Sequence, residues 1–282
     1  MKWWIWLIIG LSAATVLATI ALIYWNNAVR TVRYTYKSAK LPQGFDGFKI
    51  AHISDYHNKY YGKGGRRVAD RVAKENPDII VISGDMIQSC KRKNALALID
   101  SLVSIAPVYY ACGNHERYVD EYPVFVKEMR ALGVHVLEDE TVTLLNGDGE
   151  IALSGAKDPR FYMERGSENS AVFAGKIKKL VDKDRFNLLI SHRPEFMSAY
   201  VEAGFDLVLS GHAHAGQVRF PFVGAVFTPG EKFRPHYVVG RYDEGGTTMI
   251  VSGGLGSSSP IPRVLNRPQL LIETLRCEDV QS

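Results

Sequence analysis

The stretch "DIIVISGD", residues 78 to 85, decides how the rest of the chain is read. Ile79, Ile80, Val81 and Ile82 form an unbroken β-branched run with no polar alternation, as in a strand buried on both faces. Gly84 and Asp85 then end the run abruptly. The same cadence recurs along the chain. "FKIAHISD" (48–55) stops at Asp55, and "PVYYACGN" (107–114) stops at Asn114. "NLLISH" (187–192) stops at His192, and "FDLVLSGH" (205–212) at His212. Helical periodicity falls between the early runs, in "GGRRVADRVAKEN" (64–76), "NALALIDSLVSI" (94–105) and "PVFVKEMRALG" (123–133). Strand, helix and strand in alternation predict a layered α/β architecture with right-handed crossovers.

Other segments fill in the architecture. "VLEDETVTLLNGDGEIALSGA" (136–156) predicts a hairpin turning at Asn146 to Gly149. "TTMIVSGGLG" (247–256) and "PQLLIETL" (268–275) add two late strands. The expectation is one domain from about residue 30 to 276, with two sheets packed together and covered by helices.

With 282 residues, 46% of them hydrophobic and 23% charged, the chain has an ordinary globular composition and enough apolar side chains for a large core. The net charge of +4 is neither large nor clustered, so nucleic acid is not an expected partner. Cys90, Cys112 and Cys277 are odd in number and lack paired spacing. They make no disulfide framework and favour a reducing compartment.

The amino-terminal segment follows another rule. "WWIWLIIGLSAATVLATIALIYW" (3–25) has no charged residue. As a helix it is roughly 35 Å long, enough for a hydrocarbon core of about 30 Å. Aromatic residues mark both ends, where amphipathic rings favour the interface. The run exceeds a signal-peptide core and no Ala-x-Ala site follows it, so residues 1–29 read as an uncleaved membrane anchor. Arg30, Arg33, Lys37 and Lys40 follow the span, which favours a cytoplasmic-facing domain over the competing exported arrangement. "TVRYTYK" (31–37) alternates as a half-buried strand, so the globular part starts close to the membrane. Its cations suit either a solvated face or anionic lipid headgroups.

The polar strand ends have individual bland readings. Asp55 suits a helix cap, Asp85 and Asn114 suit turns, and His192 suits a hydrogen-bonded core imidazole. Together they fall where strand carboxyl ends line a ligand crevice. In an extended chain residues i and i+2 share a direction, so Asp55 and His57 in "SDYH" are expected to face one cavity. The same holds for His212 and His214 in "GHAH", where Gly211, Ala213 and Ala215 leave room. Neutral imidazoles are common metal donors, and such a set suits two ions about 3.5 to 4 Å apart.

In order, "DYH" (55–57), "GD" (84–85), "GNHE" (113–116), "SH" (191–192) and "GHAH" (211–214) resemble the calcineurin-like metallophosphoesterase superfamily. "GQVRFPFVGAVFTPG" and "LNRPQLLIETL" resemble its subgroup of YkuE- and YaeI-type bacterial phosphodiesterases, which is also similar to a membrane-bound UDP-2,3-diacylglucosamine pyrophosphatase. The resemblance implies a four-layer α/β/β/α sandwich spanning residues 30–282 after the transmembrane helix. It implies one divalent ion on Asp55, His57, Asp85 and His214, and a second on Asp85, Asn114, His192 and His212. Mn²⁺, Fe and Zn²⁺ all suit such a donor set. It further implies that His115 stabilises or protonates the leaving oxygen, tuned by Glu116 or another carboxylate, while a metal-activated hydroxide attacks phosphorus. Ala213 and Ala215 depart from the "GHTHGGQ"-like text of the subgroup at positions that hold no ligand.

Three functions stay open on this reading. The first is a phosphodiesterase or pyrophosphatase acting at the membrane surface on a lipid-linked or nucleotide-linked phosphoester. The second is a phosphomonoesterase or nucleotide phosphodiesterase merely localised by its anchor. The third is a non-catalytic metal-binding scaffold. "KDPRFYMERGSENSA" (157–171) is expected to form a substrate-side loop in which Arg160 and Arg165 serve either as phosphate contacts or as surface charges. His52, His135 and His236 read as core histidines, and Cys112 as packing beneath the site.

Overall fold

A strand buried on both faces needs a cover on each side, and the fold supplies it in layers. The computed structural model describes residues 2–162, 170–220, 222, 224–225 and 236–278. In chain order the first elements are α1 (Trp3–Asn27), β1 (Arg30–Ser38), β2 (Lys49–Ile53), α2 (Arg66–Glu75), β3 (Ile79–Ser83) and α3 (Lys93–Val103). Then come β4 (Val108–Ala111), α4 (Tyr122–Ala131), β5 (His135–Val136), β6 (Glu140–Asn146), β7 (Gly149–Gly155) and α5 (Ser170–Lys178). β8 (Phe186–Ile190), α6 (Met197–Ala203), β9 (Leu207–Ser210), β10 (Arg219–Phe220) and β11 (Gly224–Ala225) follow. β12 (Gly240–Glu244), β13 (Thr247–Val251) and β14 (Gln269–Cys277) complete the described chain.

Two six-stranded sheets result, ordered β1-β14-β2-β3-β4-β5 and β12-β13-β9-β8-β7-β6. The first is parallel except where β14 meets β2. The second is parallel through β13, β9, β8 and β7, with antiparallel β12 and β6 at its edges. The expected hairpin is β6 and β7, pairing Asn146 with Gly149. Ile50, Val81 and Leu271 of the first sheet meet Leu153, Leu188 and Leu209 of the second in one apolar core. Val72, Leu98 and Phe125 of α2, α3 and α4 cover the outer face of the first sheet. Phe173 and Tyr200 of α5 and α6 cover the second. The layers therefore run helix, sheet, sheet, helix, as expected.

Helix α1 stands apart from these layers. All 25 of its residues are outside the core, and it is long and apolar enough to cross a membrane. Thr15 and Thr19 turn their hydroxyls onto the carbonyls of Leu11 and Thr15, which satisfies both polar groups within the helix. Its foot is bonded to the globular body rather than tethered. Asn26 Nδ2 donates to Arg263 O at 3.0 Å, and Asn26 Oδ1 accepts from Arg263 N at 2.8 Å. Lys59 Nζ donates to Asn26 O, and Arg267 Nε donates to Ala28 O at 2.9 Å. In β1, Val32, Tyr34 and Tyr36 face inward while Arg33, Thr35 and Lys37 are exposed, the alternation the sequence predicts.

Candidate metal centre

The parallel strands of both sheets release their carboxyl ends at one crevice. Asp55 follows β2, Asp85 follows β3, Asn114 follows β4, His192 follows β8 and His212 follows β9. The extended geometry expected for the histidine and aspartate pairs is not what aims them. Asp55, His57, Asp85, His212 and His214 have φ of 51°, 50°, 54°, 66° and 49°, so the chain leaves its strands through left-handed turns. For side chains with a Cβ this conformation costs about 1 to 2 kcal/mol per residue and persists only where the surroundings impose it. Five such residues in one crevice point to a functional constraint.

Neighbouring groups tie down one side of Asp55, Asp85 and His192 and leave the other side bare. Asp55 Oδ2 accepts from Ser54 Oγ at 2.6 Å and His212 N at 3.1 Å. Asp85 Oδ1 accepts from His115 N at 2.9 Å. His192 Nδ1 meets Ser83 O at 2.6 Å, which directs Nε2 inward. Asp55 Oδ1, Asp85 Oδ2, Asn114 Oδ1, His192 Nε2 and His212 Nε2 are then buried with no hydrogen-bond partner among the described residues. Such orphans are costly unless something else binds them.

Those bare atoms converge. Asp55, His57 and His214 form one group of donors close enough to share an ion, and Asp85, His192 and His212 form another. His57, Asp85 and His115 form a third that overlaps both sides. His214 Nε2 lies 3.4 Å from Asp55 Oδ1 and 3.3 Å from His57 Nε2. His192 Nε2 lies 3.2 Å from Asp85 Oδ2, and His57 Nε2 lies 3.8 Å from the same oxygen. Donors around one ion with bonds of about 2.0 to 2.3 Å stand roughly 3 to 4 Å apart, so the set fits divalent metal. Asn114 sits between Gly113, which packs against Asp85, and His115, whose N–H bonds it.

The electrostatics agree with this fit. Burial lowers His57 and His214 to about 3 and takes His212 well below its usual value, so all three imidazoles are neutral donors. His192 differs: burial opposes its charge, but the Asp85 carboxylate raises it to about 10. For Asp85, burial acts upward and the His192 partner holds it well below the carboxylate range. A divalent cation at Asp85 Oδ2 competes directly with that proton.

Glu116 is the functional residue whose role the sequence reading missed. Of the two readings, Glu116 or another carboxylate beside His115, the structure favours the second, because the Glu116 carboxylate is taken up by backbone N–H groups. It accepts N–H bonds from Met86 at 2.7 Å, Gly113 at 3.0 Å, Asp85 at 3.1 Å and Ile87 at 3.3 Å. Glu116 thereby clamps the ends of β3 and β4 together. Burial and the nearby Asp85 act to raise it, yet four converging N–H donors favour the carboxylate, and that is the form the clamp requires. The carboxylate nearest His115 is Asp85, with Nε2 to Oδ2 at 3.9 Å. Arg263 was missed altogether. It is 1% exposed, and its guanidinium donates to the carbonyls of Gly253, Gly256 and His214. Nothing local in "PIPRVLN" marks a buried cation; only the fold does.

The remaining expectations divide. His52 is a core histidine, bonded to Ser83 Oγ at 2.8 Å and facing Glu273 at 3.4 Å. Cys112 is fully buried beneath the site. His135 and His236 are exposed rather than core residues: His135 lies on the edge strand β5, stacked on Tyr109, and His236 is 74% exposed. Arg160 donates to the hydroxyl of Tyr118. Arg165 and the rest of 163–169 in its expected substrate-side loop lie outside the described residues.

Imidazoles and carboxylates gathered at the strand ends of a two-sheet α/β sandwich define the class of metal-dependent phosphoester hydrolases. Residues 48–216 match the family model described as calcineurin-like phosphoesterase, and the chain belongs to that family. It is 31% identical to the metallophosphoesterase YkuE of Bacillus subtilis over 255 residues, covering 88% of this chain and 86% of YkuE. It is 26% identical to the phosphodiesterase YaeI of Escherichia coli over 220 residues, covering 74% and 76%. A transmembrane protein with a metallophosphoesterase domain from Danio rerio is 24% identical over 272 residues, covering 93% of this chain and 61% of the other. The chain is a metallophosphoesterase.

Proposed function

We propose that the protein is a dinuclear metal-dependent phosphodiesterase or pyrophosphatase acting at a membrane surface. The observation that carries the reading is the convergence of buried, unpartnered donor atoms from Asp55, Asp85, Asn114, His192 and His212 upon the facing imidazoles of His57 and His214. Asp55, His57, Asp85 and His214 would hold one ion, and Asp85, Asn114, His192 and His212 the other. Bound there, two divalent cations would activate a water molecule at neutral pH and offset charge on the phosphoryl oxygens.

Asp85 is the bridging residue in this reading. Oδ1 is occupied by the His115 N–H, whereas Oδ2 faces both His57 and His192. Oδ2 is therefore the Asp85 oxygen left open to hold metal. His115, whose side chain is 32% exposed, would give a proton to the leaving oxygen. Membrane-surface action is supported by the bonded foot of α1. Asn26 grips the backbone of Arg263, and Arg263 reaches the His214 carbonyl. One arginine thus spans the distance from the anchor to a donor of the site and holds the crevice close to the foot of the helix.

The test is a substrate panel on the full chain in detergent, comparing bis-p-nitrophenyl phosphate, its monoester, soluble nucleotide diesters and UDP-diacylglucosamine, with and without chelator. Chelator-sensitive hydrolysis of diesters or pyrophosphates, with monoester turned over poorly, is the expected result. Preference for the monoester or for soluble nucleotides would overturn the membrane-surface assignment. Asp85→Ala should bind neither ion by elemental analysis; two ions retained in that variant would contradict the bridge.

A further inference from the structure

We propose that a cavity at the foot of α1, behind the His214 turn, binds the phosphate headgroup of an anionic membrane lipid. The cavity is about 310 Å³ and lies between Trp25 of the anchor's last turns and Ala215 beside His214. Arg30, Arg219 and Arg267 line it, together with Tyr34, Asn266 and Gln269. Neither aspartate nor glutamate is among the described residues of its wall. Three guanidinium groups without a carboxylate between them repel one another and attract an anion. Their planar forks match phosphate oxygens in pairs.

Position identifies the anion's source. Trp25 is 40% exposed and two residues from the end of an apolar helix, the depth at which tryptophan sits among headgroups. Arg30 follows the helix by three residues, so the cavity lies at headgroup level on whichever side the domain occupies. A second cleft of about 370 Å³ shares Arg30 and Arg267 and adds Arg33, Arg71 and Lys74 on the same side of the anchor. Of these, Arg33 is already paired with Glu75. Basic groups around a membrane helix foot attract anionic lipid within about a Debye length. Three arginines lining one cavity go further and offer paired donors to a single phosphate.

The wall also touches the metal-donor turn. Arg219 donates to Ala215 O at 3.1 Å, and Asn266 donates to His214 O at 2.7 Å. A lipid headgroup held by Arg219 would therefore brace the turn that carries His214. The inference rests on the membrane reading of α1 and is independent of which phosphoester is cleaved.

The experiment uses the full chain in phosphatidylcholine nanodiscs, with and without phosphatidylglycerol, and reads the thermal midpoint. Phosphatidylglycerol should raise the midpoint by about 3 °C or more. Arg30→Gln with Arg219→Gln should abolish the rise, whereas Lys37→Gln with Lys127→Gln, which removes equal charge elsewhere, should keep it. Arg30→Gln alone, at an exposed side chain, should lose part of the rise even if the double variant folds poorly. An unchanged rise in the arginine variants overturns the proposal. So does an equal loss in the lysine control, which would leave only a diffuse field, or an equal rise produced by inorganic phosphate in phosphatidylcholine discs. Metal content and soluble-diester hydrolysis, measured on the same samples, separate failure here from failure of the phosphoesterase reading.

Discussion

At the scale of single residues, the site divides labour between atoms of one side chain. Asp85 spends Oδ1 on the His115 backbone and keeps Oδ2 for the crevice, while His192 spends Nδ1 on Ser83 O. His115 adjoins Asp85 Oδ2 and lies edge-on to His57 with ring centres 5.0 Å apart, and in the proposed ligand sets it is left over as the acid. His115→Ala should keep both ions and lose roughly 10² to 10⁴ in kcat on esters with poor leaving groups, the usual worth of a general acid. Unchanged turnover on such an ester would remove that role. Away from the site, burial raises the Glu273 carboxyl, so the fold retains a proton that the unfolded chain releases near pH 4.3. The stabilisation is complete below that pH and is lost as pH rises through the folded value. Glu273→Gln, which cannot ionise, should gain stability relative to the parent between acid and neutral pH, read as urea midpoints. A difference that moves the opposite way with pH would contradict the assignment.

At the scale of elements, glycine sets how closely the loops of the two sheets meet. Gly211, between β9 and His212, packs against the loop after β2. A Cβ there would collide with Ser54 Oγ and lie 2.5 Å from Asp55 Oδ2. Gly211→Ala should therefore displace the Asp55 carboxylate and destabilise the fold by about 1 to 3 kcal/mol, the usual cost of overpacking. It should also weaken metal retention by the side of the site formed by Asp55, His57 and His214. Full retention of two ions with unaltered stability would show that the loops have slack. Gly113 plays the same part against Asp85, whose backbone nitrogen a Cβ would approach to 2.6 Å. The motif "GNHE" thus combines a close-packing glycine, a donor, a candidate acid and a backbone clamp in four consecutive residues.

At the scale of the molecule, the donors come from both sheets. Asp55, His57, Asp85 and Asn114 belong to the first, while His192, His212 and His214 belong to the second. Ions held between them would cross-link the sheets and add their binding free energy to the fold. Chelation should lower the thermal midpoint of the parent protein and leave that of Asp85→Ala, expected to hold no ions, where it was. A chelator shift of equal size in both would separate stability from the site.

Local physics made much of this legible in the chain. Unbroken apolar runs gave the buried strands, 3.6-residue periodicity gave α2, α3 and α4 but neither α5 nor α6, and the charge-free run from Trp3 to Trp25 gave a helix long enough for a membrane. The ordered polar strand ends gave the list of candidate donors, because those residue types have little other reason to gather at strand ends. The aim of the donors was not legible. It depends on left-handed turns at Asp55, His57, Asp85, His212 and His214 that only the surrounding packing can impose. Glu116 became a clamp, Arg263 a buried brace and the arginines around Trp25 a cavity through contacts between segments far apart in sequence. Periodicity records which side of an element is apolar, but the partner a side chain meets across tens or hundreds of residues is fixed only when the sheets close on each other.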